Sequence, residues 1–593
     1  MQKIGELLTK NGLVTQQQLN NALKIQANEK AMIGKIMVAE NYLRQQDLQK
    51  TLAQKHNLPF VELNVQEPDF SLLKPELQHQ YFALEIIPLK QNNNEVTLAV
   101  TNISAEVLQW TAINYAGCKV TYAITSSFDI LWSLQKHFAK NDDEAARLAL
   151  LKQSPEFSAR KLISLPVKLL MIAIIAALEG AFYVQPQQSF VYFGWFVNVM
   201  CLASVLYKTV FYFMGRNRRK QHILPNENLP IYTVLVPLFR EEKSIPRLLK
   251  CLQNLDYPKT KLDIKLVVEA ADDITINAIK KAAPPQYMEI IKVPYSLPQT
   301  KPKACNYALL YARGEFVTIF DAEDDPDPTQ LKKALAEFMQ VGKELACVQA
   351  KLNYYNTEKN LLTRWFALEY ATWFEAVMNG VELSNSPLPL GGTSNHIRVD
   401  VLKKLGGWDA FNVTEDADLG LRLAQFGYKI ATINSVTMEE APAKIMPWLK
   451  QRTRWLKGFL QTYFVHMRAP LKLIKNTGIQ GFLILQFFFA LPVLLLMLMP
   501  FWVVFAASLE IPPMLNNFAF ANFIFCTLIH IFMGYDVQKN LRDYEGEKLF
   551  KAFPLFPILT MPVYWLLHLA ASYMAVYQLI TKPHYWNKTE HGQ

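Results

Sequence analysis

Cysteine is scarce: 6 of the 593 residues, with no CxxC pair among Cys118, Cys201, Cys251, Cys305, Cys347 and Cys526. That scatter excludes a disulfide scaffold and a zinc ribbon, and it fits a reducing compartment. Charge is also sparse, at 19% of residues against 51% hydrophobic, and the apolar excess sits in a few long runs, a membrane pattern. The opening segment MQKIGELLTKNG lacks the apolar core of a secretory signal, so no cleaved leader is expected there. A formal charge of +10 raises the question of nucleic acid, but the bases crowd beside apolar runs, as at Arg216, Arg218, Arg219 and Lys220. That placement points to membrane anchoring, with no nucleic-acid partner expected.

What is present divides along the chain. A soluble α+β module is expected over 1–140, opening with short amphipathic helices and passing into strand-like EVTLAV (95–100) and KVTYAIT (119–125). It holds an internal repeat. KIGELLTKNGLVTQQQLNNAL (3–23) aligns with MIGKIMVAENYLRQQDLQKTL (32–52), matching Gly5 with Gly34, Leu19 with Leu48 and Leu23 with Leu52. A polar linker is expected over 141–161, then two transmembrane helices over 162–215 around an uncharged QPQQ loop. Their flanks are basic (Arg160, Lys161, Lys168; Arg216 to Lys220), so the positive-inside rule puts both flanks, and the domain that follows, in the cytoplasm. Residues 225–470 alternate short β-branched runs (IYTVLVP, IKLVVEA, EFVTIFD, LACVQAK) with helical stretches such as SIPRLLKCLQNL, predicting an α/β domain on a largely parallel sheet. Residues 471–581 return to the membrane in three or four spans, five or six in all, because Pro492 and Pro500 leave one run open to either reading. The loop after the second of these runs, 536–551, mixes bases with acids and leaves the count unsettled by charge; a tail, 582–593, closes the chain.

The chemistry-bearing residues fall where an open α/β sheet binds ligands, beyond the carboxyl ends of its strands. Asp272 and Asp273 follow IKLVVEA; Asp321, Glu323, Asp324 and Asp325 follow EFVTIF. Such acids can hold a hard divalent cation that neutralises a diphosphate. In NVTEDADLGLRLAQFGYKI, Thr414 is placed to cap a helix running through Leu419 and Leu423 to Gly427, with Asp416 in its first turn, ionised by the helix N-terminus and able to act as a base. In QRTRW (451–455), Gln451, Arg454 and Trp455 share one helical face, joining an oxyanion binder to a broad aromatic surface.

These four elements, in this order and between two membrane regions, resemble the motif set of processive-type family 2 glycosyltransferases, the class of cellulose and hyaluronan synthases. The likeness spans roughly 225–470 and the flanking membrane helices. It implies a GT-A fold, a nucleotide-diphosphate sugar donor, usually UDP-linked, Mg²⁺ or Mn²⁺, and an inverting transfer to a glycan or lipid-linked acceptor by a multi-pass bacterial inner-membrane protein. By position it implies that Asp272 or Asp273 contacts the nucleobase, Asp321 the ribose and phosphate region, and Glu323 the metal together with Asp321, with Asp324 a competitor for the metal. Asp416 is then the base, Arg454 and Gln451 serve the donor, and Trp455 the acceptor sugar. TKPKACN (300–306) brings Lys303 as a phosphate ligand, and GGTSN (391–395) brings Gly392, Thr393 and Ser394 as an acceptor-end loop.

The repeat module resembles the N-terminal domain of type II secretion and type IV pilus assembly ATPases, some of which bind cyclic di-GMP through such tandem motifs. The first copy matches with Lys3, Gly5, Gly12, Leu19, Leu23 and Gln26; the second keeps Gly34 but has Met32 for a basic residue, Asn41 for Gly and Lys55 for Gln. The tail segment KPHYWNKTEHG (582–592) is expected at the interface, within reach of the catalytic domain.

Overall fold

The computed structural model describes residues 3–29, 31–163, 165–217, 222–508, 510–545 and 555–586. The basic residues 218–220, the stretch 546–551 and the tail beyond 586 lie outside them.

The repeat is real in three dimensions. Four helices, Ile4–Lys10, Gln16–Glu29, Ile33–Ala39 and Gln45–His56, form two copies of one pair. A Cβ on Gly5 would stand 2.7 Å from Leu19, and one on Gly34 2.7 Å from Leu48, so each glycine lets its helix close on the partner leucine. Both turns after the short helices need a left-handed residue, Gly12 at φ +70° and Asn41 at φ +56°. A small sheet follows: β1 Ile86–Asn92, β2 Glu95–Val100 and β3 Lys119–Ile124, antiparallel between the first two and parallel between the last.

The expected linker is largely helix. Ser127–Gln153 is one helix, with Ser126 capping the Asp129 amide. Its Ala- and Leu-rich sequence favours helix, and Phe138, Asp142, Ala146 and Leu150 make a buried stripe at four-residue spacing. The stripe lies on the catalytic domain: the Asn306 side-chain amide donates to the Ala146 carbonyl at 2.9 Å, and Tyr311 bonds Asp142.

The catalytic-domain sheet comprises β4 Tyr232–Leu238, β5 Leu262–Glu269, β6 Met288–Val293, β7 Phe316–Ile319, β8 Asp325–Pro326, β9 Leu345–Tyr354, β10 Asn395–Arg398 and β11 Lys429–Glu439. Its order is β6-β5-β4-β7-β10-β9-β11-β8. The sheet is mixed rather than largely parallel, because β10 runs antiparallel to both β7 and β9, and β8 antiparallel to β11. The β6-β5-β4-β7 half is parallel, as the sequence leads one to expect, and its strands are buried apart from the partly exposed Pro237, Ile290 and Lys292. This α/β domain sits beside a bundle of apolar helices.

Among the described residues, five helical segments are long and apolar enough to cross a membrane: Val167–Val184, Pro186–Gly215, Pro470–Ser508, Pro513–Val537 and Met561–Thr581. The hairpin between the first two turns at Gln185 alone, with Pro186 already opening the second helix. Pro500 lies inside one continuous helix, and the 470–508 segment bends instead at Gly478, φ +71°. The foot of Pro186–Gly215 meets the catalytic domain backbone to backbone: a Cβ on Gly380 would lie 1.9 Å from the Phe211 carbonyl, and one on Gly215 2.0 Å from that of Ala376. The domain is thereby fixed against the membrane helices, and the cleft between them is defined.

Candidate active site

One cavity of about 1370 Å³ opens beyond the carboxyl ends of β4, β5 and β7 and continues between the membrane helices. The turn after β7 supplies its acids. Asp321 faces the cavity and takes an ion pair from Lys301 at 2.5 Å; Lys301 also donates to the Gly392 carbonyl at 2.7 Å. Asp324 turns inward, accepting the Asp321 amide at 2.7 Å and the Thr393 hydroxyl, and is thereby tied to the turn. Glu323 lines the cavity with its carboxyl pushed up to about 8, by burial first and then by the neighbouring charges of Asp321 and Glu241. Glu439, at the end of β11, joins the same wall and is held well above the usual range by burial and by Asp324, Glu323 and Asp321. Among the described residues no three such side chains already converge as a metal site. The donor chemistry nonetheless fits a hard divalent cation: crowded carboxylates, with Lys301 as their nearby cation and one Asp324 oxygen buried without a partner.

Asp272 and Asp273 are placed away from the cavity. Asp272 is buried as the cap of Asp273–Ala282, accepting the Arg240 amide at 2.6 Å and the Thr275 hydroxyl at 2.7 Å; Asp273 is exposed in the first turn. The cavity-facing acid of this strand is Glu269, the last residue of β5. Lys303 is likewise withdrawn. Its ammonium is fully buried, donating to the Pro294 carbonyl at 2.8 Å and standing 3.5 Å from Glu269. Because the helix Lys301–Leu309 starts at the cleft, it is Lys301, not Lys303, that reaches the cavity. Ser394 is sealed under the sheet against Thr437 at 2.6 Å, whereas Gly392 and Thr393 line the cavity.

Asp416 sits in the first turn of Glu415–Gln425 and faces the cavity. Thr414 holds the capping position but its hydroxyl makes no cap bond; Asn412 instead accepts the Thr414 amide at 3.0 Å, and the Thr414 side chain packs on Gly458. Burial raises the Asp416 carboxyl above its usual range, opposed by the Ala417 amide at 2.7 Å and by Lys301 and Arg454. It is therefore more basic than the helix terminus alone would make it. A Cβ on Gly392 would come within 3.2 Å of Asp416, so the glycine leaves room directly over the carboxylate.

The helix Ile445–His466 carries Gln451, Arg454 and Trp455 on the cavity side. The Gln451 carbonyl oxygen is buried without a partner, and the Arg454 Nε likewise. Trp455 stacks on Tyr370 with ring centroids 5.9 Å apart. The intervening Arg452 is committed to a bidentate pair with Glu369 at 2.9 and 2.6 Å. The tail reaches this helix: Lys457 donates to the Tyr585 carbonyl at 2.8 Å, Gln461 to that of Pro583 at 3.1 Å, and Trp586 lies over Arg454 at 4.4 Å. The expected reach of the tail to the catalytic domain is thus met by these contacts.

The N-terminal module touches the catalytic domain as well. Lys259 pairs with Glu40 at 3.2 Å and Thr260 bonds Glu29 at 2.6 Å. The helix Ser127–Gln153 holds the loop before Lys301, with the Ser296 hydroxyl on Asp143 at 2.5 Å and Arg147 donating to the Leu297 carbonyl at 3.3 Å. Of the residues matched to the tandem motif, Lys3 and Met32 occupy the same position before their helices, Gly5, Gly34 and Gly12 do backbone work, and Gln26 donates to the Ala31 carbonyl at 2.8 Å.

With this geometry in place, comparison with known proteins gives the class. Residues 316–535 match the model of glycosyl transferase family group 2, and residues 56–144 match the MshEN domain. These two segments are what the chain shares with family 2 glycosyltransferases and with MshEN domains, the latter match beginning just after the two repeats. A relative from Bacillus subtilis (strain 168), "Probable glycosyltransferase YdaM", is 30% identical over 237 residues, 39% of this chain and 56% of that relative, so the match spans little more than half its length. Among solved structures, a mannosyltransferase of Pyrobaculum calidifontis in complex with GDP-Man and Mn²⁺ is 16% identical, covering 65% of this chain and 99% of its own at a TM-score of 0.38. MshE with cdg is 19% identical, covering 23% and 99%, at a TM-score of 0.21.

Proposed function

We propose that this protein is a membrane-embedded, inverting glycosyltransferase that moves a sugar from a nucleotide-diphosphate donor, UDP-linked by preference, to a growing polysaccharide. The observation that carries the reading is the convergence on one cavity of Asp321, Glu323, Asp416, Gln451, Arg454 and Trp455, from separate segments of the chain, with that cavity running on between apolar helices. Asp416 takes the proton of the acceptor hydroxyl as its oxygen bonds to the anomeric carbon. The bond from that carbon to the diphosphate breaks on the opposite face, and Arg454 and Lys301 receive the departing charge. Asp321 and Glu323 would hold Mg²⁺ or Mn²⁺, which supplies neutralisation of the diphosphate. Trp455 offers its face to the acceptor sugar, beside Gly392 and Thr393.

The basic flanks on the catalytic side of the first two helices, Arg160, Lys161, Lys168 and Arg216, support a cytoplasmic catalytic domain in a bacterial inner membrane. The MshEN match supports regulation by cyclic di-GMP, relayed through the helix Ser127–Gln153 to the loop before Lys301. A panel of nucleotide sugars offered to the purified chain in lipid nanodiscs tests the function: turnover of one donor with a product ladder on sizing supports it. A single-sugar product would replace the polymer by transfer to one acceptor, and no turnover of any donor refutes the enzyme.

A further inference from the structure

The part of the cavity between the membrane helices has chemistry that sugar transfer does not use. Lys208, on Pro186–Gly215, lines it, and among the described residues no carboxylate or other acceptor stands within bonding distance of its ammonium. The nearby charges do not compensate it. Glu369 is already shared by Arg452 and, at 3.7 Å, by His568, so the cluster carries an excess cation. The neighbouring Tyr207 hydroxyl lines the same cavity and is buried without a partner. His530 donates through Nδ1 to the Cys526 carbonyl at 2.7 Å, leaving Nε2 unbonded. An unpaired cation inside a membrane helix is costly unless a ligand meets it.

Depth identifies the ligand. Pro186–Gly215 has 30 residues, about 45 Å at 1.5 Å each, the thickness of a bilayer with its headgroups. Lys208 lies seven residues before Gly215, about 10 Å from the catalytic-domain end. This is the level at which lipid phosphates meet hydrocarbon. Phe487, Phe488, Pro492 and Leu496 face the same space and suit an apolar chain. We propose that the membrane branch of the cavity binds the phosphate of a lipid-borne acceptor, with Lys208 as its cation and the Tyr207 hydroxyl as a second donor. The inference rests on the reading that the cavity serves a glycosyl acceptor, and it names that acceptor's class: a phosphate-linked lipid.

The test is direct binding to the full chain in nanodiscs of zwitterionic phosphatidylcholine, with a labelled polyisoprenoid phosphate and the alcohol of equal length as probes. The phosphate should bind at least about tenfold tighter than the alcohol, as charge-assisted hydrogen bonds allow. Lys208→Gln should abolish the difference, Lys208→Arg should keep most of it, and Asp416→Asn should leave it unchanged. Equal binding of alcohol and phosphate, or full affinity in Lys208→Gln, overturns the proposal; so does inorganic phosphate competing as well as the lipid. Absence of donor turnover with phosphate-selective binding intact would defeat the transferase reading alone, and turnover without such binding would defeat this one alone.

Discussion

Gly458 is the point where the helix bearing Arg454 crosses the turn bearing Asp416. A Cβ there would meet the Thr414 side chain at 2.4, 2.5 and 2.8 Å. Ordinary carbon contacts need about 3.5 Å, so Gly458→Ala must push helix and turn apart by about 1 Å. In an exposed helix this substitution would gain up to about 1 kcal/mol from propensity; here overpacking reverses the sign, costing about 1–3 kcal/mol. A 1 Å displacement between catalytic groups is worth about a hundredfold in rate. We expect Gly458→Ala to lower nucleotide release from the donor by about that factor, with a modest drop in the unfolding midpoint. Adding Thr414→Ala, which removes the two nearest atoms, should restore part of the loss. Full activity in the single variant would refute the argument that the close crossing aligns the two groups.

Glu323 and Glu415 hold protons up to about 8 in the folded protein because burial disfavours their charge. An unfolded chain releases them near the ordinary 4.5. Between those limits the folded state binds more protons, so stability falls as pH rises through the window; thermal unfolding of metal-free protein from pH 5 to 8.5 should show the decline. Mn²⁺ should raise the midpoint more at pH 8.5 than at pH 6, since it competes with those protons. Glu369→Ala should destabilise by about 3–5 kcal/mol in denaturant titration by leaving Arg452 buried and unpaired. Asp143→Ala frees the loop before Lys301 and should raise the donor KM with little loss of stability, read by steady-state kinetics. Met32→Arg should strengthen cyclic di-GMP binding in calorimetry, because it gives the second repeat the cation that Lys3 gives the first; unchanged affinity would argue that these two positions do not face the nucleotide.

Much of the fold is legible from pattern. The buried β-branched runs marked β4, β5, β7 and β9, and the aligned glycines 5 and 34 marked the tandem helices, because burial on both faces and close helix contact each leave a compositional trace. The four-residue β10 left none: it follows a Gly-rich turn and reads as loop, so the antiparallel centre of the sheet was missed. Residue choice within motifs was harder. Lys301 and Lys303 are two apart on one helix, and only the angle at which that helix meets β5 and Ser127–Gln153 turns the first to the cavity and the second inward. Likewise Asp272 and Asp273 look like the acids of the first motif, yet the strand ends earlier, at Glu269, and the aspartates serve the next helix. Glu439 lies far along the chain from the other acids, at the end of a strand whose register no local signal sets. The polar run after Lys140 reads as solvated linker because Asp142 and Asp143 are charged; their distant partners, Tyr311 and Ser296, are visible only once the chain is folded.

The most direct test of the central claim compares wild type with Asp416→Asn for the donor that turns over best, with Mn²⁺ affinity and donor binding measured on the same preparations. Loss of a positioned base should lower kcat by about 10²–10⁴-fold while metal and donor binding remain. An Asp416→Asn protein that transfers sugar at the wild-type rate would contradict the account.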